Sequence, residues 1–194
     1  MRTILIFVFI FILPSYASDK NFSDDKDINV FFNAIHDGDS KTVFKLVQSG
    51  LNINTINKYD KNALQVPYYS DNLDMFMLLV RLGADINYCT PKQKMCVLHD
   101  YVSPGKLKFV KKLVEAGVNL NEQDGVGSTA LLTAGSLDQF DIAYYLIQSG
   151  ADISIGNNWG KTIVDRINES HLSKDSEQFI WMEKTKKLIE GMAK

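Results

Sequence analysis

The stretch VQSGLNIN (residues 47–54) returns as VRLGADIN (80–87), VEAGVNLN (114–121) and IQSGADIS (147–154). The glycines at its centre, Gly50, Gly83, Gly117 and Gly150, lie 33, 34 and 33 residues apart. A fixed period of this size marks stacked supersecondary units. Each echo also reads locally. Apolar residues at helical spacing, such as Leu78, Leu79 and Val80, precede the glycine. Glycine then ends the helix, because it takes φ > 0 without a Cβ clash. Two residues later stands Asn52, Asp85, Asn119 or Asp152, a side chain suited to bonding turn backbone. One apolar residue follows, Ile53, Ile86, Leu120 or Ile153, placed to pin the loop to a core.

The other half of the unit keeps the same register. Nineteen positions before the glycines stand Phe31, Leu64, Leu98 and Leu131, in NVFFNA, NALQVP, CVLHDY and TALLTA. A further unit opens with NNWGKTIVDRI at Asn157, where Gly160 and Thr162 each lie 33 residues after Gly127 and Thr129. On these positions the chain resembles the ankyrin-repeat family across about residues 24–191, with the leucines at the Leu of that family's T-P-L-H element. The resemblance implies an all-α solenoid of four helix-pair repeats, a C-terminal capping helix pair and short β-turn fingers. Helices are expected at 30–37, 40–49, 62–69, 72–81, 96–102, 106–116, 129–135, 139–148, 162–169 and 175–191. In the last, Asp175 and Gln178 read as a capping box. Trp181, Leu188 and Met192 are expected to face the stack, and Lys184, Lys186 and Lys187 to face water.

Outside the repeats, residues 1–17 have the layout of a cleavable secretory signal. Arg2 supplies the positive region, an apolar run spans residues 4–13, Pro14 breaks it, and Ser15 and Ala17 mark a cleavage site. The run is too short for a hydrocarbon core of about 30 Å, which takes roughly 20 residues. The expected organisation is therefore a signal (1–17), a mature N-terminal tail (18–27) and a repeat domain (28–194), with a periplasmic or secreted location. Export bears on Cys89 and Cys96, two cysteines seven positions apart. They are either a disulfide or two free thiols, and spacing alone does not decide between them.

Three positions break the pattern. Pro67 falls inside a first helix, which should bend or start late and push Tyr68 and Tyr69 outward. The loop NYCTPKQKMC (87–96) is one residue longer than its counterparts. Tyr101 stands where the family places a small residue.

The 21 basic and 23 acidic residues leave no basic excess of the kind a nucleic-acid footprint needs. GVGSTA (125–130) imitates a dinucleotide fingerprint, but it lacks the preceding strand. His36, His99 and His171 fall in different units and make no triad or metal set. His99 takes the place of the family's hydrogen-bonding His. No enzyme, cofactor or metal site is expected.

Surface remains. The resemblance implies a concave partner face of finger tips and first helices. Its expected binding residues are Lys58, Tyr59 and Lys61, then Tyr69, then Lys92, Lys94 and Met95, then Trp159 and Lys161. Five lysines there suggest an acidic contact surface on a protein partner, and exposed Tyr and Trp suit interface anchors. The chain is expected to be monomeric on its own and free of the membrane after signal cleavage. With export, the resemblance suggests an immunity protein that blocks a secreted toxin. The alternatives are a periplasmic helper of a stress-defence enzyme such as a catalase, or a secreted host-directed effector.

Overall fold

A computed structural model describes residues 25–103 and 105–192. The expected signal, residues 1–17, lies outside them. Among the described residues, ten helices and one 3-10 turn follow in five antiparallel pairs. The pairs are α1 (Asp25–Asp37) with α2 (Ser40–Gln48); the 3-10 turn Ala63–Gln65 and α3 (Pro67–Ser70) with α4 (Leu73–Arg81); α5 (Val97–Asp100) with α6 (Leu107–Glu115); α7 (Ala130–Ser136) with α8 (Phe140–Gln148); and α9 (Ile163–Glu169) with α10 (Glu177–Met192). Among the described residues, β pairing is limited to isolated antiparallel bridges in two fingers. This is the all-α ankyrin-repeat solenoid that the sequence resemblance implies. Asp25, Lys26 and Asp27 already belong to α1, so the helical domain takes in the end of the segment read as a tail.

The four glycines close α2, α4, α6 and α8 in the same way. Their φ angles are 102, 89, 85 and 96°. In each case the following N–H reaches back to a carbonyl five residues earlier, from Leu51 to Leu46, Ala84 to Leu79, Val118 to Leu113 and Ala151 to Leu146. That is the Schellman arrangement, which satisfies carbonyls a helix end would orphan. Next, Asn52, Asp85, Asn119 and Asp152 each accept the N–H of the residue two positions on, at 2.8–3.0 Å. Ile53, Ile86, Leu120 and Ile153 pack against the core half-buried. The register residues Phe31, Leu64, Leu98 and Leu131 are at most 3% exposed. One apolar cluster runs from α1 to α10.

The last residue of each echo joins one unit to the next. Asn54 Oδ1 accepts the Asp85 N–H at 2.8 Å, Asn87 Oδ1 that of Asn119 at 2.8 Å, and Asn121 Oδ1 that of Asp152 at 2.9 Å. Ser154 stands at the fourth position and ends the series.

The expected helix 62–69 is broken at Pro67, which becomes the first residue of α3. A 3-10 continuation would have residue 67 donate to the Leu64 carbonyl, and proline has no N–H. The Tyr101 hydroxyl supplies the missing donor at 2.7 Å, from a fully buried ring. Burial holds the Tyr101 phenol well above its ordinary pKa, so it keeps the proton it donates. The Tyr101 ring stacks on Phe109 and meets Tyr68 and Phe76 edge-on. Lys106 Nζ caps the Tyr68 carbonyl at 2.8 Å. Only Tyr69 turns outward as expected. Tyr68 is half-buried, with its hydroxyl 3.3 Å from Ser103, because the aromatic stack draws it in.

The C-terminal pair brings two further corrections. Ser176, not Asp175, caps α10, accepting the Phe179 N–H at 3.1 Å. Gln178 instead reaches α8, where its Oε1 accepts the Phe140 and Asp141 N–H groups; Gln139 at the α8 N-cap makes no side-chain cap bond. The buried face of α10 is Met182 and Thr185, flanked by the half-buried Trp181 and Leu188, while Met192 is 55% exposed. Lys184, Lys186 and Lys187 face water.

Tyr101→Phe should destabilise the fold by about 1–3 kcal/mol, the cost of an unsatisfied buried carbonyl. In a Pro67→Ala background, which restores an N–H, the same change should cost less. A double-mutant cycle of urea unfolding measures the difference.

Candidate protein-binding face

Four fingers project beside the first helices, at residues 57–61, 90–95, 124–128 and 157–161. Three share one construction. An Asn or Asp side-chain oxygen at the finger base accepts two backbone N–H groups: Asn57 takes Tyr59 and Lys61, Asp124 takes Val126 and Ser128, and Asn157 takes Trp159 and Lys161. The residue three positions on has positive φ, at Asp60, Gly127 and Gly160. The second finger departs from this. Thr90 stands at the base, and its Oγ1 takes a single N–H, that of Met95. The left-handed position, φ 49°, falls on Lys94. Cys89 and Cys96 are disulfide-bonded across its root. This bridge closes the alternative that the spacing left open. Cys96 also takes the helix-capping place that Asn62 and Thr129 fill, without a side-chain cap bond of its own.

Adjacent fingers touch. The Tyr88 hydroxyl donates to the Asp60 carbonyl at 2.7 Å. The Gly125 N–H donates to Gln93 at 2.8 Å, and the Asn158 N–H to Val126 at 3.1 Å. Gly125 is required there, since a Cβ would sit 2.9 Å from the Gln93 oxygen.

Of the residues expected to bind, three aromatics stand fully out: Tyr59 and Trp159 are 70% exposed and Tyr69 is 73% exposed. Val126 and Leu137 are also exposed, at 44% and 51%. Tyr59 and Tyr69 flank a groove of about 420 Å³, floored by Val66 and Gln65.

The lysines are less free than the sequence suggested. Lys61 Nζ lies 2.9 Å from Asp100, which also accepts from Gln65. Lys161 pairs with Glu169 at 2.7 Å. That hydrogen bond raises the Lys161 pKa and lowers that of Glu169. Lys58 lies over the Tyr59 ring, 5.1 Å from its centroid. Lys92 and Lys94 are exposed and border a polar groove with Glu122 and Asp124. Met95 is half-buried. Asp100 and Glu169 lie in first helices and reach the finger lysines only in the fold.

The histidines stay apart. His36 contacts Asp37, and His99 Nε2 lies 2.9 Å from the Ser128 carbonyl, as the resemblance implies. His171 is exposed. Among the described residues no group of three metal-ligating side chains is assembled, and no helix is long and apolar enough to cross a membrane. Gly125 and Gly127 of the nucleotide-like motif are finger residues.

Residues 74–157 match a family model described as ankyrin repeats, in three copies. An ankyrin repeat protein of Fowlpox virus is 26% identical over 140 residues, covering 72% of this chain and 33% of its own length. Mouse protein phosphatase 1 regulatory subunit 27 is 39% identical over 74 residues, covering 38% of this chain and 48% of its own. Cyclin-dependent kinase inhibitor 2A of Monodelphis domestica is 28% identical over 112 residues, 58% of this chain and 63% of its own. The chain thus spans less than two thirds of each.

The Lys161–Glu169 pair has a defined pH response. Glu169 is depressed, so its contribution is present above the ordinary carboxylate range and is lost as pH falls through the lowered value. NMR titration should place Glu169 below, and Lys161 above, their ordinary values. Glu169→Gln should return Lys161 to its ordinary titration without a marked change in melting temperature.

Proposed function

We propose that this chain is a non-catalytic protein-binding module whose partner docks on the concave face formed by the fingers and first helices. The observation that carries this reading is the exposure of Tyr59, Tyr69 and Trp159 on fingers and a first helix that are otherwise rigidly bonded. Large aromatics left in water cost hydrophobic free energy, and they are the residue types that dominate interface energetics. The matched relatives named as a phosphatase regulatory subunit and a kinase inhibitor are in keeping with a role exercised through another protein.

In this reading the Tyr59–Tyr69 groove takes an apolar side chain of the partner, and Trp159 anchors its far end. Acidic groups of the partner meet Lys58, Lys92 and Lys94, since Lys61 and Lys161 are already paired within the chain. The array acts as a monomer. Residues 1–17 direct it out of the cytoplasm, and in the periplasm or outside the cell it neutralises a secreted toxin by stoichiometric capture. The signal layout together with the compact binding face motivates this choice over the helper and host-effector roles.

Capture from periplasmic extract, with and without the product of a neighbouring gene, tests the reading. The wild-type chain should retain one partner. Tyr69→Ala combined with Trp159→Ala should weaken retention more than ten-fold, with helical circular dichroism unchanged. Equal retention would move the contact off this face. Fractionation should find the mature chain, beginning at Ser18, in the periplasm or medium; a cytoplasmic chain with Met1 intact would refute export.

A further inference from the structure

We propose that the Cys89–Cys96 disulfide is a redox latch that orders the second finger and, through it, holds the Gly125 N–H of the third. The second finger keeps the backbone bonds of its neighbours, but its side-chain and conformational devices are weaker. Where Asn57, Asp124 and Asn157 each hold two backbone N–H groups, Thr90 holds one. Where the other fingers place Asp or Gly in the left-handed region, this one places Lys94, a residue with no intrinsic preference for it. Its tip is one residue longer, with Pro91, Lys92 and Gln93 between Thr90 and Lys94. Cys96 fills a helix-cap position and makes no side-chain cap bond. The bridge, closing a loop of seven positions, stands in for all of these.

The other fingers close two equivalent backbone bonds over Asp or Gly at the left-handed position; here, over Lys94, the bridge holds the bonds from the Lys94 N–H to the Thr90 carbonyl at 2.9 Å and from the Thr90 N–H to the Met95 carbonyl at 3.1 Å. The effect passes onward through Gln93, whose carbonyl receives the Gly125 N–H. Opening the bridge frees Lys94 to leave φ > 0, moves Gln93 and releases the Gly125 N–H of the third finger, whose own Asp124 brace remains.

The chemistry balances with a dithiol reductant. Its thiolate attacks Sγ of Cys89, the more exposed residue of the pair; Cys96 is 3% exposed. A mixed disulfide forms and Cys96 leaves as a thiolate that takes a proton. The second thiol of the reductant then displaces Cys89, which is also protonated, and the reductant departs oxidised. The regulatory consequence rests on the protein-binding reading: Lys92 and Lys94 are positioned for a partner only in the oxidised chain. The test needs no partner, so its failure is distinct from a failure of that reading.

Amide hydrogen exchange is measured on the oxidised chain, on the chain reduced by dithiothreitol with both thiols verified, and on Cys89→Ser/Cys96→Ser. Reduction should speed exchange at Lys94 and Gly125 at least ten-fold and leave Trp159, in the fourth finger, unchanged. Lys94→Gly should recover at least half of the lost protection in the reduced chain, because glycine holds the left-handed position unaided. Unchanged exchange at Gly125 in the reduced wild type would overturn the proposal, as would a reduced Lys94→Gly chain that recovers nothing.

Discussion

The fold depends on side-chain oxygens that reach from one unit to the backbone of the next. A single helix pair cannot bury its apolar face, so stability comes from the interfaces between pairs. Burial alone is non-directional and would tolerate small slips between stacked pairs. The bonds from Asn54, Asn87 and Asn121 to the next loop remove that freedom. They act at exposed loops, outside the apolar core, and so fix spacing where packing is weakest. A regular spacing of units is what sets the fingers in a row and gives the concave face a defined shape.

Within that frame the second and third units show how a repeat absorbs irregularity. Pro67 deletes a donor and shortens a helix. Tyr101 restores the bond from the neighbouring unit and fills the volume left by the break. Lys106 then caps the Tyr68 carbonyl and pairs with Asp71. The two anomalies are one arrangement seen from both sides, and its outward product is Tyr69 at the edge of the groove. In the second finger a cystine accompanies a single-bond Thr90 brace, Lys94 at the left-handed position and Cys96 at the helix cap.

Much of this was legible in the sequence because it is periodic. The glycines, the Asx turns after them and the buried leucines each recur at a fixed spacing, and each has a local physical cause. The bridging role of Asn54, Asn87 and Asn121 recurs too, yet the sequence cannot show that a side chain points to the next unit rather than its own. Nor could it show that Asp100 and Glu169 neutralise Lys61 and Lys161: the first pair lies 39 residues apart in the chain. The pattern around Pro67 announced a break but not the direction of Tyr68, which an aromatic stack of three other rings decides. At the C-terminus, the apolar spacing of α10 placed Met192 inward. The structure leaves it beyond the last packed turn, and Gln178 serves α8 instead of its own helix.

The unit-to-unit bonds are open to direct measurement. Asp85, Asn119 and Asp152 are exposed residues outside any helix, so their amides have no shelter other than the Asn oxygens of the preceding unit. Native-state hydrogen exchange should find all three slowed well below the rate of an unstructured chain, and Asn87→Ala should release Asn119 while leaving Asp152 protected. Free exchange at all three in the wild-type chain would contradict a stack registered by these bonds and, with it, the preformed face on which the functional reading stands.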